Sequence, residues 1–344
     1  MERVDVPNRL FAFYLVPNFT MLALSSAVEI LRLANIALGK NLYAWRLVSA
    51  DGAKVKASCG LTIEVDNSLA AERRHLSDPQ RPFMAVICGG GDIEQHTNIA
   101  TAAWLRECRQ RGVEVASFCN GTYVLARAGL LNGRECTIHW ENYPGFVERF
   151  GSTFVSTGLY VVDGGVHTCA GGTAAIDMVL NIVKHDCGDA VVTAVCERAL
   201  VDRIRQPTDR QRLPFATRMK KINPTIVRLI EKMQDNLAEP LALAELAETA
   251  KLSRRQVERL FNSEMKSSPH RYYLKLRLDR ARLLLLQTWI PVLEVAVATG
   301  FVSASHFSRC YRVAYGCSPQ ETRNTKTAGS AAHSHIIALR DVAA

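Results

Sequence analysis

The sequence predicts an α/β domain built on a mostly parallel sheet, followed by an all-α domain that carries two helix-turn-helix units. Three observations lead there. Short β-rich runs alternate with amphipathic helical stretches through the first two hundred of the 344 residues, the pattern of a parallel sheet covered on both faces. A polar stretch with two prolines, Arg205 to Pro214, then interrupts the alternation. Beyond it the chain reads as helix almost throughout and repeats itself at an offset of fifty residues.

In order, Leu10–Val16 is the first strand, and Met21–Leu38 a helix with Leu24, Val28, Leu31 and Ala34 on one side. Tyr43–Ala50 and Leu61–Val65 are expected as strands. Phe83–Cys88 reads as a buried strand running into Gly89-Gly90-Gly91. A helix is expected over Ile99–Arg111, a strand over Val113–Phe118 and a helix over Asn120–Ala128. Strands over Thr153–Ser156 and Val161–Val166 and a helix over Thr173–His185 complete the first domain. The expected organisation is a domain over 1–204, a linker over 205–222, a helical domain over 223–323 and a flexible tail over 324–344.

Composition excludes several classes. With 48% apolar and 22% charged residues the chain is globular rather than disordered. No uncharged apolar run reaches the roughly 18 residues of a membrane span, so no membrane partner is expected. The opening Met1-Glu-Arg-Val-Asp5 has no apolar stretch behind it, which points to the cytoplasm. None of the ten cysteines forms a C-x-x-C pair. No metal and no cofactor are therefore expected, and the thiols should stay reduced. Charge is strongly divided. Residues 1–206 carry 20 Lys and Arg against 21 Asp and Glu, whereas 207–344 carry 22 against 12. An excess of +10 confined to the C-terminal part suggests nucleic acid as its partner.

The repeat sharpens that reading. Ser253, Val257, Arg259, Leu260 and Phe261 return as Ser303, Phe307, Arg309, Cys310 and Tyr311, and Ser268-Pro269 returns as Ser318-Pro319. Upstream, Leu243, Leu246, Ala247 and Ala250 return as Leu293, Ala296, Val297 and Gly300. The first set follows the i, i+3, i+4, i+7 rule and should line the inner face of a helix. The next helix opens on Ser253-Arg254-Arg255-Gln256, a capping-box spacing. Arg254, Arg255, Gln256 and Arg259 then face outward at its N-terminal end, where a recognition helix meets base edges. Arginine offers a fork to guanine and glutamine one to adenine. Ser303, Ser305, His306 and Arg309 take those places in the second copy. Between the copies, Pro269–Thr288 should be a helix with Lys275, Arg277, Arg280 and Arg282 along a basic side. About 20 residues span roughly 30 Å, close to the roughly 34 Å between successive major-groove faces. The plainer reading is a helical bundle whose arginines are only solvated, but two capped, arginine-bearing helices in register argue against it.

The stretch Ala298-Thr-Gly-Phe-Val-Ser-Ala-Ser-His-Phe-Ser-Arg-Cys-Tyr-Arg-Val-Ala-Tyr-Gly-Cys-Ser-Pro319 closely resembles the signature of AraC-type transcription regulators. The resemblance covers about residues 223–323. It implies two helix-turn-helix units joined by a helix, binding promoter DNA, with RNA polymerase as a further partner.

In the first domain, Val115-Ala-Ser-Phe-Cys119-Asn-Gly-Thr-Tyr123 is a strand running through a small-residue turn into a helix. Such an elbow exposes a nucleophile beside a helix N-terminus, and Gly89-Gly90-Gly91 could offer backbone N–H groups to an oxyanion or carboxylate. Residues 8–200 resemble the class I glutamine amidotransferase-like superfamily in its intracellular-protease-like branch, which implies a flavodoxin-like three-layer sandwich. Cys119 matches the elbow cysteine there, and His139 a histidine that some members hold near it. Two departures weaken the catalytic pattern. Asn120 stands where protease-like members place a histidine, and the acid that relatives carry on the first helix falls at Ala23. A thiolate without an oriented base is a poor catalyst. The expectation is a retired active site with no catalytic residue, in which Cys119, Asn120, His139, Gly90, Gly91 and Trp140 bind a small-molecule effector. Cys119 as an ordinary buried thiol and His139 as a core histidine remain open.

The segments Leu15-Val-Pro-Asn-Phe-Thr-Met21, Glu29-Ile-Leu-Arg-Leu-Ala-Asn35, Leu42-Tyr-Ala-Trp-Arg46 and Asp51-Gly52 resemble one branch of regulators that fuse these two domains. Members of that branch control arginine, carnitine and glycine betaine catabolism, which implies an amino acid or quaternary amine as effector. Tyr43, Trp45, Tyr123 and Trp140 could then face a cationic head group. The leading expectation is a ligand-responsive activator, dimeric through residues 1–200. The competing ones are a cysteine-dependent hydrolase or amidase with a DNA-targeting domain, and a non-specific nucleic-acid binder.

Overall fold

Strand β1 (Arg9–Leu15), buried from Phe11 onward, pairs in parallel with β2 (Tyr43–Ser49) on one side and β6 (Met84–Cys88) on the other. The computed structural model describes residues 9–211, 223–288 and 290–328 and divides at Gln211 into two units. In the first, β6 pairs with β7 (Glu114–Phe118), and β7 with β11 (Val166–Cys169), again in parallel. β10 (Tyr160–Asp163) closes one edge antiparallel to β11, and β5 (Asn67–Ser68) closes the other beside β2. The order across the sheet is β10-β11-β7-β6-β1-β2-β5. Every residue of β6 is buried, the continuous apolar reading of a strand covered on both faces.

One face is covered by α1 (Met21–Leu38), α7 (Ala174–Cys187) and α8 (Asp189–Ala199), which bring Leu24, Leu31, Met178, Val183 and Val192 into one core. The other carries α2 (Leu69–Arg74), α4 (Ile99–Gln110), α5 (Thr122–Arg127) and α6 (Tyr143–Arg149), with Trp104, Leu105, Leu125 and Phe146 fully buried. This is the three-layer arrangement expected. α1 alone among the described residues reaches membrane-spanning length and hydropathy, at 1.6 over 18 residues. It contains Glu29 and Arg32, and Leu24, Ala27, Ile30 and Leu31 are packed into the core.

Chain direction picks out one place on the sheet. From β1 the chain crosses through α1 to β2, while β6 lies on the other side of β1 and leads through α3 (Ile93–His96) and α4 to β7. The crevice beyond the C-terminal ends of β1 and β6 is therefore the topological switch point, where open α/β sheets bind ligands.

Several strand expectations need correction. Leu61–Val65 is only β4 (Thr62–Ile63), in a hairpin with β3 (Val55–Lys56) outside the main sheet. Thr153–Ser156 becomes β9 (Phe154–Ser156), paired with β8 (Glu135–Thr137) in a separate ribbon. Val161–Val166 is not one strand: the chain reverses at Gly164-Gly165, both at positive φ, so β10 and β11 form a hairpin. The helix expected from Asn120 begins as a 3-10 turn over Cys119–Gly121 before α5. The start of the expected linker packs on the first unit. Arg205 donates to Oδ2 of buried Asp177 from Nη2 at 2.6 Å and from Nε at 3.0 Å. Residues 212–222, and 329–344 of the expected tail, lie outside the described residues.

The second unit holds α9 (Pro224–Asp235), α10 (Leu243–Ala250), α11 (Arg254–Met265), α12 (Pro269–Gln287), α13 (Val292–Ala298), α14 (Ala304–Tyr315) and α15 (Pro319–Ala328). It has two cores rather than one. Ile226, Leu229, Leu246, Val257, Phe261 and Tyr273 form the first. Leu278, Leu284, Val295, Phe301, Phe307 and Tyr311 form the second, so α12 contributes to both. In α13 the inner positions are Val295 and Ala296. Leu293 and Val297, the repeat partners of Leu243 and Ala247, are exposed.

Candidate functional site

The elbow sits where the fold argument places a ligand. β7 ends at Phe118, and Cys119 takes φ +55, a left-handed conformation that a non-glycine side chain adopts at a cost. Neighbouring backbones hold it there. A Cβ at Gly171 would come within 2.7 Å of the Cys119 Cβ, and one at Gly89 within 2.1 Å of the Gly121 nitrogen. The turn needs glycine at both places because two chains touch. Asn120 Nδ2 donates to the Gly90 carbonyl at 2.9 Å, and Thr20 N donates to the Gly89 carbonyl at 3.1 Å. The ends of β1, β6, β7 and β11 thus meet around one thiol.

Burial works against forming the thiolate there. Burial raises the Cys119 pKa above the ordinary 9.0, and the Glu141 carboxylate adds to the rise. Hydrogen bonding from Thr20 and the Asn120 backbone works the other way without prevailing. His139 Nδ1 lies 3.7 Å from Glu141 Oε2, and its ring tilts against Trp140 at 5.7 Å between centroids. Burial lowers the His139 pKa from 6.5, with Glu141 opposing. The structure thus joins Cys119, Asn120 and Gly90 directly and sets His139 and Trp140 beside each other. Gly91 follows in the same turn. Ala23 is buried in α1 with no acid at its place, and Thr20, just before that helix, is the α1-side group that reaches the thiol.

Thr20, Gly171 and Glu141 were not anticipated. Thr20 and Gly171 lie in the segments that follow the C-terminal ends of β1 and β11, and the switch-point rule could have found them. The aromatic expectations mostly fail. Tyr43 and Trp45 pair in register with Arg9 and Phe11, at the opposite end of the sheet from the elbow. Tyr43 is buried and donates to Asp186. Tyr123 packs edge-on against Phe146 and Phe150. A cavity of about 410 Å³ lined by Arg109, Gln110, Asn132 and Arg134 contains no expected ligand residue. All ten cysteines are free, and among the described residues no cluster of His, Cys, Asp or Glu could hold a metal ion.

The segment carrying His139 is tied to the end of the unit. Thr122 Oγ1 donates to the Thr137 carbonyl at 2.9 Å. Gln211 Nε2, on the last described residue before 212, lies within hydrogen-bond distance of Thr137 Oγ1, the Ile138 carbonyl and the Gly158 carbonyl, at 2.8–3.0 Å.

In the second unit the two arginine-bearing helices open as the sequence indicates. Ser253 Oγ accepts from Gln256 N at 3.3 Å, and Ser303 Oγ from His306 N at 3.3 Å. These serines are caps first. Gln256 closes its box by accepting from Ser253 N at 2.8 Å, which engages one arm of its amide. His306 Nε2 contacts Cys310 Sγ at 3.3 Å. Arg254, Arg255, Arg259, Ser305 and Arg309 are exposed. The expected basic side of α12 is partly spent inside the unit. Arg282 stacks on Tyr315 at 4.7 Å, and Arg277 donates to the carbonyls of Thr299 and Gly300.

A strained elbow at a switch point, followed by two capped basic helices in a separate unit, defines a helix-turn-helix DNA-binding transcriptional regulator with an amidotransferase-like α/β domain. Residues 12–185 match the DJ-1/PfpI family and residues 246–325 a helix-turn-helix domain family. The chain belongs to the AraC-type regulators that carry a DJ-1/PfpI domain. It is 39% identical over 321 residues to the HTH-type transcriptional regulator GbdR of Pseudomonas aeruginosa, spanning 92% of this chain and 84% of that protein. It is 32% identical over 313 residues to the HTH-type transcriptional regulator GlxA of Rhizobium meliloti, spanning 90% and 94%. Among solved structures, a ThiJ/PfpI family protein from Pseudomonas syringae shares the fold at a TM-score of 0.50 and 18% identity, covering 73% of this chain and 92% of that one.

Proposed function

We propose that the protein is a ligand-responsive transcriptional activator, dimeric through its first unit. A small amino acid or quaternary amine held at the elbow changes how the second unit engages promoter DNA and RNA polymerase. One observation carries the reading: the elbow keeps its strained backbone while its thiol is buried, and that burial raises the thiol pKa above its ordinary value. A thiol with a raised pKa is a poor nucleophile, which favours binding over turnover. Cys119, Asn120, Gly90, Gly91, His139 and Trp140 form the effector site in this reading. The turns supply polar groups for a carboxylate, and Glu141 with Trp140 faces a cation. The hydrogen bonds of Gln211 beside His139 give the site a physical route to the chain that leads into the second unit. On the DNA side, Arg254, Arg255, Gln256 and Arg259 from α11, and Ser305, His306 and Arg309 from α14, read bases or phosphates over the caps Ser253 and Ser303.

The test is a thermal-shift and DNA-binding titration of the full chain with arginine, carnitine and glycine betaine as probes. A true effector at a hundred times its dissociation constant stabilises by about 2.7 kcal/mol, and it must alter DNA affinity because only differential binding shifts a population. The hydrolase alternative has the elbow geometry in its favour. Rapid amide or ester hydrolysis that is abolished in Cys119→Ala would establish it and overturn the sensor reading.

A further inference from the structure

Tyr273 and Arg277 lie one turn apart on α12 and hold different halves of the DNA-binding unit. Tyr273 Oη donates to the Asn236 carbonyl at 2.5 Å and accepts from Leu241 N at 3.3 Å, which closes the loop between α9 and α10. Arg277 Nε donates to the Thr299 carbonyl at 2.7 Å, its Nη2 donates to the Gly300 carbonyl at 2.6 Å, and its guanidinium lies 4.2 Å over the Phe301 ring. Those carbonyls follow the last turn of α13, where a helix leaves acceptors without partners and favours a cation.

The two halves also touch directly. Gly300, at φ +76, turns the chain from α13 toward α14, and a Cβ there would meet the Leu237 carbonyl oxygen and Pro240 Cδ, both at 2.7 Å. The turn of the second helix-turn-helix therefore rests on the loop of the first. The apolar cores on either side do not merge, since α12 gives Tyr273 to one and Leu278, Ala281, Leu284 and Leu285 to the other. Greasy packing alone would leave the halves linked mainly through one helix. The polar clamp and the backbone contact remove that freedom. Tyr315 Oη adds a bond to Asp279 Oδ1 at 2.6 Å, so α14 is anchored to α12 as well.

We propose that Arg277 and the Gly300–Leu237 contact form a rigid joint that fixes the spacing and angle of α11 and α14, so that the protein reads its two DNA boxes at a single separation. The proposal rests on the reading that both helices contact DNA. Arg277 acts as a positioning residue in it: its fork is occupied by protein carbonyls, and it sets where other arginines land.

The experiment uses the full chain and a duplex that the wild type selects from a random pool. Companion duplexes carry two extra base pairs between the boxes, or only one box. Two base pairs move a box by about 7 Å along the axis and about 70° around it. Arg277→Leu should lose about tenfold on the selected duplex, the loss of one charge-assisted bond. It should keep wild-type affinity for the one-box duplex, and its ratio between selected and lengthened duplexes should fall toward one. Arg277→Lys, which keeps the charge but not the fork, should fall between. Gly300→Ala should reproduce the loss of spacing preference by a separate route. Thermal melts report whether each variant folds. Three outcomes overturn the joint. One is an Arg277→Leu chain that melts like wild type and keeps its spacing ratio. Another is equal loss on all three duplexes. The third is a wild type indifferent to spacing. A wild type that selects no duplex at all overturns the DNA reading, and the joint with it.

Discussion

The side-chain amide of Asn120 donates to the carbonyl of Gly90 across 2.9 Å, so the turn after β7 and the turn after β6 behave as one polar body. Asn120 is 7% exposed, and water cannot readily replace it. Asn120→Ala leaves the Gly90 carbonyl without that donor and should destabilise by about 1–3 kcal/mol. Urea unfolding of variant and wild type measures the loss. Because the same turn forms the proposed effector site, the variant should also lose the thermal shift given by an effector. A stable variant with an intact shift would place the ligand elsewhere.

Thiol chemistry separates sensor from enzyme without knowledge of the ligand. Cys59 is exposed, whereas Cys119 is buried with a raised pKa. The thiolate is the reacting species, so iodoacetamide near neutral pH should label Cys59 first and Cys119 at least about tenfold more slowly. The Cys119 rate should keep climbing as pH passes the ordinary thiol value. Peptide mapping by mass spectrometry follows both sites. An activated nucleophile would give the reverse order.

His139 gives a pH signature of known sign. Burial holds its pKa below the ordinary 6.5, so the unfolded chain takes up this proton at higher pH than the folded one. The neutral ring's contribution is complete above about pH 6.5 and is lost as pH falls through that value toward the folded pKa. His139→Gln should therefore flatten the fall in stability below about pH 6.5 and leave the curve above it unchanged in slope. Urea midpoints taken across that range decide it. A parallel slope in both proteins would mean that the ring titrates alike folded and unfolded.

Legibility followed how local each signal is. Met21–Leu38 was readable to the residue because the helix is long, periodic and closed by Gly39 at φ +65. β6 and β7 were readable because strands buried on both faces are apolar runs. β3, β4 and β5 are two residues each and are set by pairing across space; the run Leu61–Val65 marks β4 but not its short extent or its partner, and β3 and β5 have no such run. α8 buries only Val192 and Val195, too little to stand out from its surroundings. In the site, Cys119, Asn120 and Gly90 could be found because strand, turn and helix are contiguous there. Thr20, Gly171 and Gln211 reach it from 99, 52 and 92 residues away along the chain, and only the strand order brings them in. The arginines of α12 were misjudged for a related reason. Periodicity shows that Arg277 leaves the apolar stripe, but not that two carbonyls of the next helix end wait for it.

Gln211 is the place to ask whether ligand and DNA are coupled. Its amide holds Thr137 Oγ1 and the Ile138 carbonyl, one residue from His139, and the chain continues from it toward the second unit. Gln211→Ala should leave effector affinity within about twofold, because no ligand contact is removed, and cost roughly 1 kcal/mol of stability. The change in DNA affinity on adding effector should shrink by about fivefold or more, the lower end of an ordinary coupling energy. Anisotropy titrations with and without effector measure that ratio. Undiminished coupling in the variant would show that the signal leaves the first unit by another path.

The last expectation concerns which arginines read DNA. Arg255 and Arg309 are exposed near the starts of α11 and α14, and each helix begins on a serine cap. If each forks to a guanine, Arg255→Ala and Arg309→Ala should each cost about 1–3 kcal/mol on the selected duplex. The loss should concentrate at one base pair, so that changing that pair no longer matters to the variant. The salt slope distinguishes a backbone contact from a base contact: an arginine that only neutralises a phosphate lowers the slope of log K against log salt by about 0.9 and weakens all duplexes alike. The two sites lie on separate helix-turn-helix units and should add in the double variant within about 0.5 kcal/mol. Titrations at two salt concentrations, on selected and point-changed duplexes, give all of these numbers together. Uniform weakening by both variants, with a shallower salt slope and no base preference lost, would reduce the protein to a non-specific binder of DNA.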